Sequence, residues 1–147
     1  MDVNVIRQEL ATWALRFAKA VRDGDIPTAR HLFKDDVVGF GTRTRVMNGL
    51  DALVDQQWRH IWTTTRNFDF NLDQMDWGVS QGGDLAWLGL TWSSEGLGLD
   101  VQWFSRHGRA SFVLEKTSEG WVCGHSHHSL DPVPERLAPP TPTSTVS

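Results

Sequence analysis

The sequence predicts an α+β fold in which three N-terminal helices pack on a strongly curved antiparallel sheet, forming a conical barrel open at one end. Three observations predict it. Apolar residues recur at helical spacing through the N-terminal part, and they alternate with polar residues from Asn67 onward. The 147 residues suit a single domain. The first helix has one long apolar stripe, and a sheet wrapped around it would bury that stripe.

The helices are predicted from their apolar stripes and from the residues at their ends. Residues 5–23 form the first helix, with Asn4 as its N-cap and Gly24 as its left-handed stop. Asp25 is expected to cap a short second helix, and Asn48 a third. The third helix has one apolar face, formed by Leu50, Leu53, Val54, Trp58, Ile61 and Trp62.

The strands follow from β-branched residues and from a period of two. Residues 35–49 are predicted to be extended, and the alternation over 67–79 changes phase near Gln74, which predicts a bulge. The other strands are predicted over residues 85–94, 109–116 and 120–130. The strand over 85–94 is apolar on both faces, so both faces should be covered.

The composition limits the class of protein. The net charge is −4 and no long Lys/Arg cluster is visible, which disfavours nucleic-acid binding. No run of about 18 apolar residues predicts a membrane span. The charged N-terminus does not resemble a signal peptide, and the single cysteine, Cys123, excludes an internal disulfide, so a cytoplasmic location is expected. Residues 1–131 form the domain, and 132–147, with five of the six prolines, form a flexible tail.

Four stretches resemble the nuclear-transport-factor-2-like superfamily, and within it the SnoaL-like branch. They are FAKAVRDGDIPTARHLFKDDVVGFGT, NGLDAL, GDLAWLGLTW and GRASFVLEKTSEGWVCGHSHHSL. Each motif is weak, but their order and spacing over residues 8–130 are fairly specific. The resemblance implies a conical α+β barrel with a pocket between the first helix and the sheet. It also implies dimers that pair through the outer sheet surface.

The superfamily includes enzymes and non-catalytic association domains, so the resemblance does not decide the function. Aligned on Gly24, the polar residues of ketosteroid isomerase fall on Phe17 for the oxyanion-hole tyrosine, Gly41 for the base, and Phe112 for the protonated aspartate. These residues lack the required groups, so that machinery is absent. The comparison nevertheless places Phe17 and Phe112 inside the cone.

The segment GWVCGHSHHSL contains three of the six histidines. Strand alternation places His125 and His127 on one face with Cys123, and His128 on the other face with Ser126. The resemblance turns the His128 face inward. A metal is not expected, because the pattern offers too few ligands for a catalytic zinc site.

The predicted pocket combines one acid–base candidate with an aromatic lining. His128 is the candidate catalytic residue, since its ordinary pKa suits proton transfer near neutrality. The predicted ligand-binding residues are Phe17, Phe40, Trp58, Trp62, Trp87, Thr91, Phe112, Ser126 and His128. Trp58 and Trp62 also suit a packed core, and Phe40 has the same two interpretations.

Strand 85–94 carries the prediction of a homodimer. If Trp87 and Thr91 face inward with Gly89, the row Ala86, Leu88, Leu90 and Trp92 faces outward and needs a partner. Residues 97–106 are the alternative cover for this row.

Two functions remain open from the sequence. The first is a cofactor-independent acid–base enzyme, such as a cyclase, lyase or isomerase, acting on an apolar or aromatic substrate. The second is a non-catalytic dimeric module that binds a ligand or serves oligomerisation.

Overall fold

The computed structural model describes residues 1–139, and it begins with two helices that meet at a glycine. Helix α1 spans Val3–Asp23 and α2 spans Ile26–Arg30. Gly24 ends α1 with φ of 64°, the left-handed conformation that glycine adopts without strain. Asp25 caps α2 as predicted. The N-cap of α1 is Asp2 rather than Asn4, because the Asp2 carboxylate accepts the backbone N–H groups of the first turn.

The third helical segment is continuous but irregular. It consists of α3 (Leu50–Leu53), a π-helical turn (Val54–Trp58), α4 (Arg59–Ile61) and a 3-10 turn (Trp62–Thr64). Its N-cap is Gly49, with no side-chain cap, so the prediction of Asn48 as the cap is wrong. Gln57 and Trp58, at the end of the π turn, are both buried.

Seven strands form one sheet, with the path β2-β1-β7-β6-β5-β3 and with β4 pairing β5 separately. Their bounds are β1 Phe33–Phe40, β2 Met47–Asn48, β3 Thr65–Phe70, β4 Asp76–Val79, β5 Leu85–Leu97, β6 Trp103–Thr117 and β7 Gly120–Leu130. The sheet is curved and does not close. It is mixed rather than wholly antiparallel, since β1 pairs β7 in parallel. A 3-10 turn, Leu72–Gln74, separates β3 from β4 where the bulge was predicted.

The apolar stripe of α1 is buried against this sheet, as the sequence predicts. Leu10, Trp13, Ala14 and Phe17 are at most 3% exposed and belong to one continuous core with the inner sheet residues. Burial of this kind is the main stabilising term in a domain of this size. The helices and the curved sheet therefore form an α+β cone around α1.

Residues 132–139, at the end of the described chain, form neither helix nor strand. The remainder of the predicted tail, 140–147, lies outside the described residues. Within residues 1–139, none of the helices combines the length and the apolar character needed to cross a bilayer.

Candidate functional site

The pairing of β5 with β6 decides which face of the sheet points into the cone. Ala86, Leu88, Leu90 and Trp92 are at most 4% exposed. Leu88 pairs with Phe112, which is fully buried. The prediction that this row faces outward is wrong. Apolar residues on both faces of β5 left the phase open, and the contact with β6 and α1 fixes it.

Trp87 and Thr91 lie on the outer face of the sheet, so their predicted place in the pocket is also wrong. The Trp87 side chain is 51% exposed and lies over Gly78 of the neighbouring β4. A Cβ at Gly78 would overlap the indole nitrogen of Trp87, so the glycine makes room for the ring. Gly89 shares this outer face and opens no space in the cone.

The interior of the cone is filled by aromatic rings. Phe17 is 2% exposed and lies at their centre. Its ring centroid lies within 6.4 Å of seven other rings, those of Trp13, Phe33, Trp58, Trp62, Phe70, Phe112 and His128. Phe17 and Phe112 are inside, as the sequence resemblance implies. Phe112, however, is packed core and lies below any space that a ligand can enter.

A recess remains at the mouth of the cone, which we call the mouth recess. Its apolar lining is formed by Phe17, Val21, Trp58, Ile61, Trp62, Phe68 and Trp92. Its polar lining is formed by Thr42, Gln57, Thr65, Arg106 and His128. It leaves about 30 Å³ for the centres of water-sized molecules, and about 420 Å³ in all with its solvent-open end included. Of the predicted ligand-binding residues, Phe17, Trp58, Trp62 and His128 line it.

His128 faces the mouth recess from β7 and packs against the aromatic core. Its ring centroid lies 5.4 Å from that of Phe112 and 6.3 Å from that of Phe17. Burial, followed by the nearby charges of His127 and Arg106, lowers the pKa of His128 from 6.5 to about 4. His128 as a residue is only partly buried, and it is one of the residues that line the recess. The imidazole is therefore neutral at pH 7 and can share a hydrogen bond with a ligand.

Arg106 reaches the same recess from β6, and sequence reasoning did not identify it. Its guanidinium donates to the Thr42 hydroxyl at 2.8 Å and lies 5.5 Å from the ring centroid of Trp92. It is half-buried, and burial followed by the charge of Arg43 lowers its pKa. Alternation from Phe112 along β6 would have placed residue 106 on the inner face. An arginine at an inward-facing strand position was therefore the sequence signal that could have identified this residue.

Gln57 occupies the space that Gly41 leaves free. A Cβ on Gly41 would lie 2.6 Å from Gln57 Oε1, so any side chain at 41 would compete with this amide. Gln57 is 7% exposed, and its Oε1 has no hydrogen-bond donor within the described residues. The position where the isomerase has its base thus holds a neutral amide oxygen.

The other predicted residues of this region lie elsewhere. Phe40 is on the outer face, where its ring lies 5.0 Å from that of His125 and 5.4 Å from that of His127. Ser126 faces inward as predicted, but it is 2% exposed and does not line the recess.

Alternation predicted that Cys123 shares a face with His125 and His127, and this prediction is wrong. A register shift between β6 and β7 next to Gly124 turns it into the core, where it is fully buried. Within the described residues, His, Cys, Asp and Glu side chains nowhere gather in a group of three that could hold a metal.

Solved structures share this architecture. A nuclear transport factor 2-like superfamily protein from Salmonella enterica serovar Typhimurium is 19% identical, with a TM-score of 0.78 over 92% of this chain and 97% of the other. The association domain of CaMKII from C. elegans is 16% identical, with a TM-score of 0.68 over 86% and 96%. A ketosteroid isomerase-like protein from Erwinia carotovora atroseptica is 18% identical, with a TM-score of 0.66 over 84% and 94%. The fold is that of the nuclear transport factor 2-like proteins.

The sequence places the chain more narrowly within that fold. The model of the SnoaL-like domain matches residues 11–134, and the chain belongs to this family. Comparison with curated proteins finds none that matches.

The lowered pKa of His128 predicts a pH dependence of stability. Between pH 6.5 and 4 the unfolded chain binds a proton at this residue and the folded chain does not, so the free energy of unfolding falls as the pH falls. We expect the wild type to lose up to about 3 kcal/mol more than His128→Gln across this window. Urea unfolding at several pH values measures it.

The exposed His60 of α4 provides the matched control. His60→Gln should keep the pH dependence of the wild type. Equal pH dependence in the wild type and in His128→Gln would show that His128 is not shielded as described.

Proposed function

We propose that the protein binds a small apolar or aromatic molecule at the mouth recess, without a metal or a nucleotide cofactor. The observation that carries the proposal is a neutral imidazole, His128, facing an opening whose walls are aromatic. Small-molecule sites are commonly apolar with a few polar groups that fix orientation. The stacked pair Trp58 and Trp62, with ring centroids 4.8 Å apart, supplies a flat apolar wall.

The size of the recess restricts how a ligand sits. Space for about one water needs roughly 10–15 Å³, so the inner 30 Å³ suits a small head group rather than a ring system. The rest of the ligand would lie in the solvent-open end. This geometry supports a ligand held by one end.

Acid–base catalysis is the second candidate function, of the cyclase, lyase or isomerase type. The observation in its favour is that His128 and Arg106 face one recess, which pairs a proton acceptor with a cation. An imidazole whose pKa is about 4 is a weak base at neutral pH, however. Together with Phe17, Gly41 and Phe112 at the isomerase's polar positions, this favours binding over catalysis.

We further propose a homodimer formed through the outer face of the sheet. The supporting residues differ from those of the sequence prediction: Leu85 is 46% and Trp87 51% exposed, side by side with Val113 along an apolar groove of about 500 Å³. Exposed apolar patches of this kind are typical of interaction surfaces. A non-catalytic dimeric module is consistent with the same surface.

A cytoplasmic location belongs to the same proposal. Cys123 is buried, and burial raises the pKa of its thiol, so it is unreactive and does not form a disulfide. A domain that is held together by its core and contains no disulfide is consistent with a reducing compartment.

Binding is tested with phenol and indole as neutral aromatic probes. It is monitored by saturation-transfer NMR and by tryptophan fluorescence. We expect saturable binding to the wild type. His128→Ala should weaken it about 3- to 10-fold, because one hydrogen bond is lost. His60→Ala should bind as the wild type does. Absence of saturable binding to the wild type would contradict the proposed function, and unchanged binding by His128→Ala would remove His128 from it.

The dimer is tested by sedimentation velocity over a range of concentrations. We expect the wild type to sediment at twice the mass of one chain and Trp87→Asp to dissociate, because a buried unpaired carboxylate is costly. Leu15→Asp introduces the same charge on the exposed face of α1 and should leave the dimer intact. A monomeric wild type at micromolar concentration would contradict the proposal.

A further inference from the structure

Arg106 is set apart from the other arginines by burial without a counter-ion. Arg22, Arg30, Arg59 and Arg66 each lie within 4 Å of a carboxylate. Arg106 is half-buried, and within residues 1–139 no carboxylate forms an ion pair with it. A charge taken out of water without a partner is destabilising, and proteins retain such charges where a ligand compensates them.

A second arginine strengthens the positive charge at the mouth. Arg43 and Arg106 line a second recess of about 80 Å³ that adjoins the mouth recess, and Arg43 is also without a carboxylate partner among the described residues. The charge of Arg43 acts on Arg106. The protein as a whole has a net charge of −4, so a mouth with two cations is a local reversal.

Two buried polar atoms of the same lining lack partners. They are Nε1 of Trp92, a donor, and Oε1 of Gln57, an acceptor. Both residues are more than nine-tenths buried and both line the mouth recess. Buried polar groups without partners are few in folded proteins, and a bound ligand is one of the ways in which they are satisfied. Of the two, only the Trp92 N–H can donate to an anionic ligand, because Oε1 of Gln57 is itself an acceptor.

We propose that the mouth recess recognises the carboxylate of an apolar or aromatic acid, with Arg106 as its counter-ion. This inference rests on the proposed binding function and names its ligand class. The planar guanidinium matches a carboxylate with two parallel hydrogen bonds. The neutral His128 ring has one N–H group that can donate to a carboxylate oxygen. The size of the recess suits three heavy atoms better than a tetrahedral phosphate dianion.

The apolar body of the acid extends outward from Arg106. The adjoining recess shares Ile61, Thr65 and Arg106 with the mouth recess, and its outer wall includes Leu97 and Phe104. Phe104 is 49% exposed, so part of its side chain is accessible to a ligand. Arg106 thus lines both recesses, so a carboxylate at its guanidinium can extend its apolar body toward Leu97 and Phe104.

The test compares benzoate with benzamide, which has the same shape and no charge, by isothermal titration calorimetry. We expect the wild type to bind benzoate about 10- to 100-fold more tightly than benzamide, as a charge-assisted bidentate pair predicts. Arg106→Met should lose this preference, and Arg106→Lys should keep part of it because the charge remains. Arg109→Met removes the same charge from the outer face of the same strand and should keep the full preference.

The outcomes separate this inference from the proposed function. Equal binding of benzoate and benzamide would overturn the carboxylate assignment and leave the binding function standing. Inorganic phosphate that competes as strongly as benzoate would also overturn it. Failure of benzoate, benzamide, phenol and indole alike would contradict both proposals. The wild-type comparison needs no variant, so the test holds even where Arg106→Met fails to fold.

Discussion

The packing of Phe17 into the inner face of the sheet is the constraint on which the rest of the structure depends. Its ring contacts the cores of α1, β1, β6 and the third helical segment at once. Aromatic rings in offset and edge contacts both bury area and fix orientation. Because Phe17 fills the centre, the cone has a packed base, and a recess remains near Trp58, Trp62 and His128. The fold therefore offers a shallow site at its mouth rather than a deep pocket.

The same packing determines the electrostatics of that site. A ring beside Phe17 and Phe112 is poorly solvated, so His128 stays neutral, while Arg106 keeps its charge and contacts Thr42 and the face of Trp92 instead of a carboxylate. At the three positions that the sequence resemblance aligns with the polar groups of ketosteroid isomerase, this chain has Phe17, Gly41 and Phe112. Here the interior is apolar, and the two charges near the opening, Arg43 and Arg106, are both positive, which supports the proposal of an anionic ligand.

The sequence predicted the helices, the strand regions and the inward place of Phe17, because helical and strand periodicities are local properties. Sequence-based prediction failed where the pairing of distant strands determines which face of the sheet a side chain occupies. The phase of β5 depends on its register with β6, so Trp87 was placed inside when it lies outside. One extra residue at Gly124 turned Cys123 into the core against simple alternation. Arg106 was missed because the strand was predicted to begin after it, although its phase relative to Phe112 would have shown it facing inward.

The most direct measurement of this account is the free energy of unfolding of Phe17→Ala, with Leu15→Ala on the exposed face of α1 as its control. If Phe17 is the centre of a filled interior, its truncation leaves a cavity and costs about 3–5 kcal/mol in urea unfolding. The Leu15 variant should change the value by no more than about 0.5 kcal/mol. A loss below about 1 kcal/mol for Phe17→Ala would mean that the ring borders a hollow, and the cone would then be open throughout.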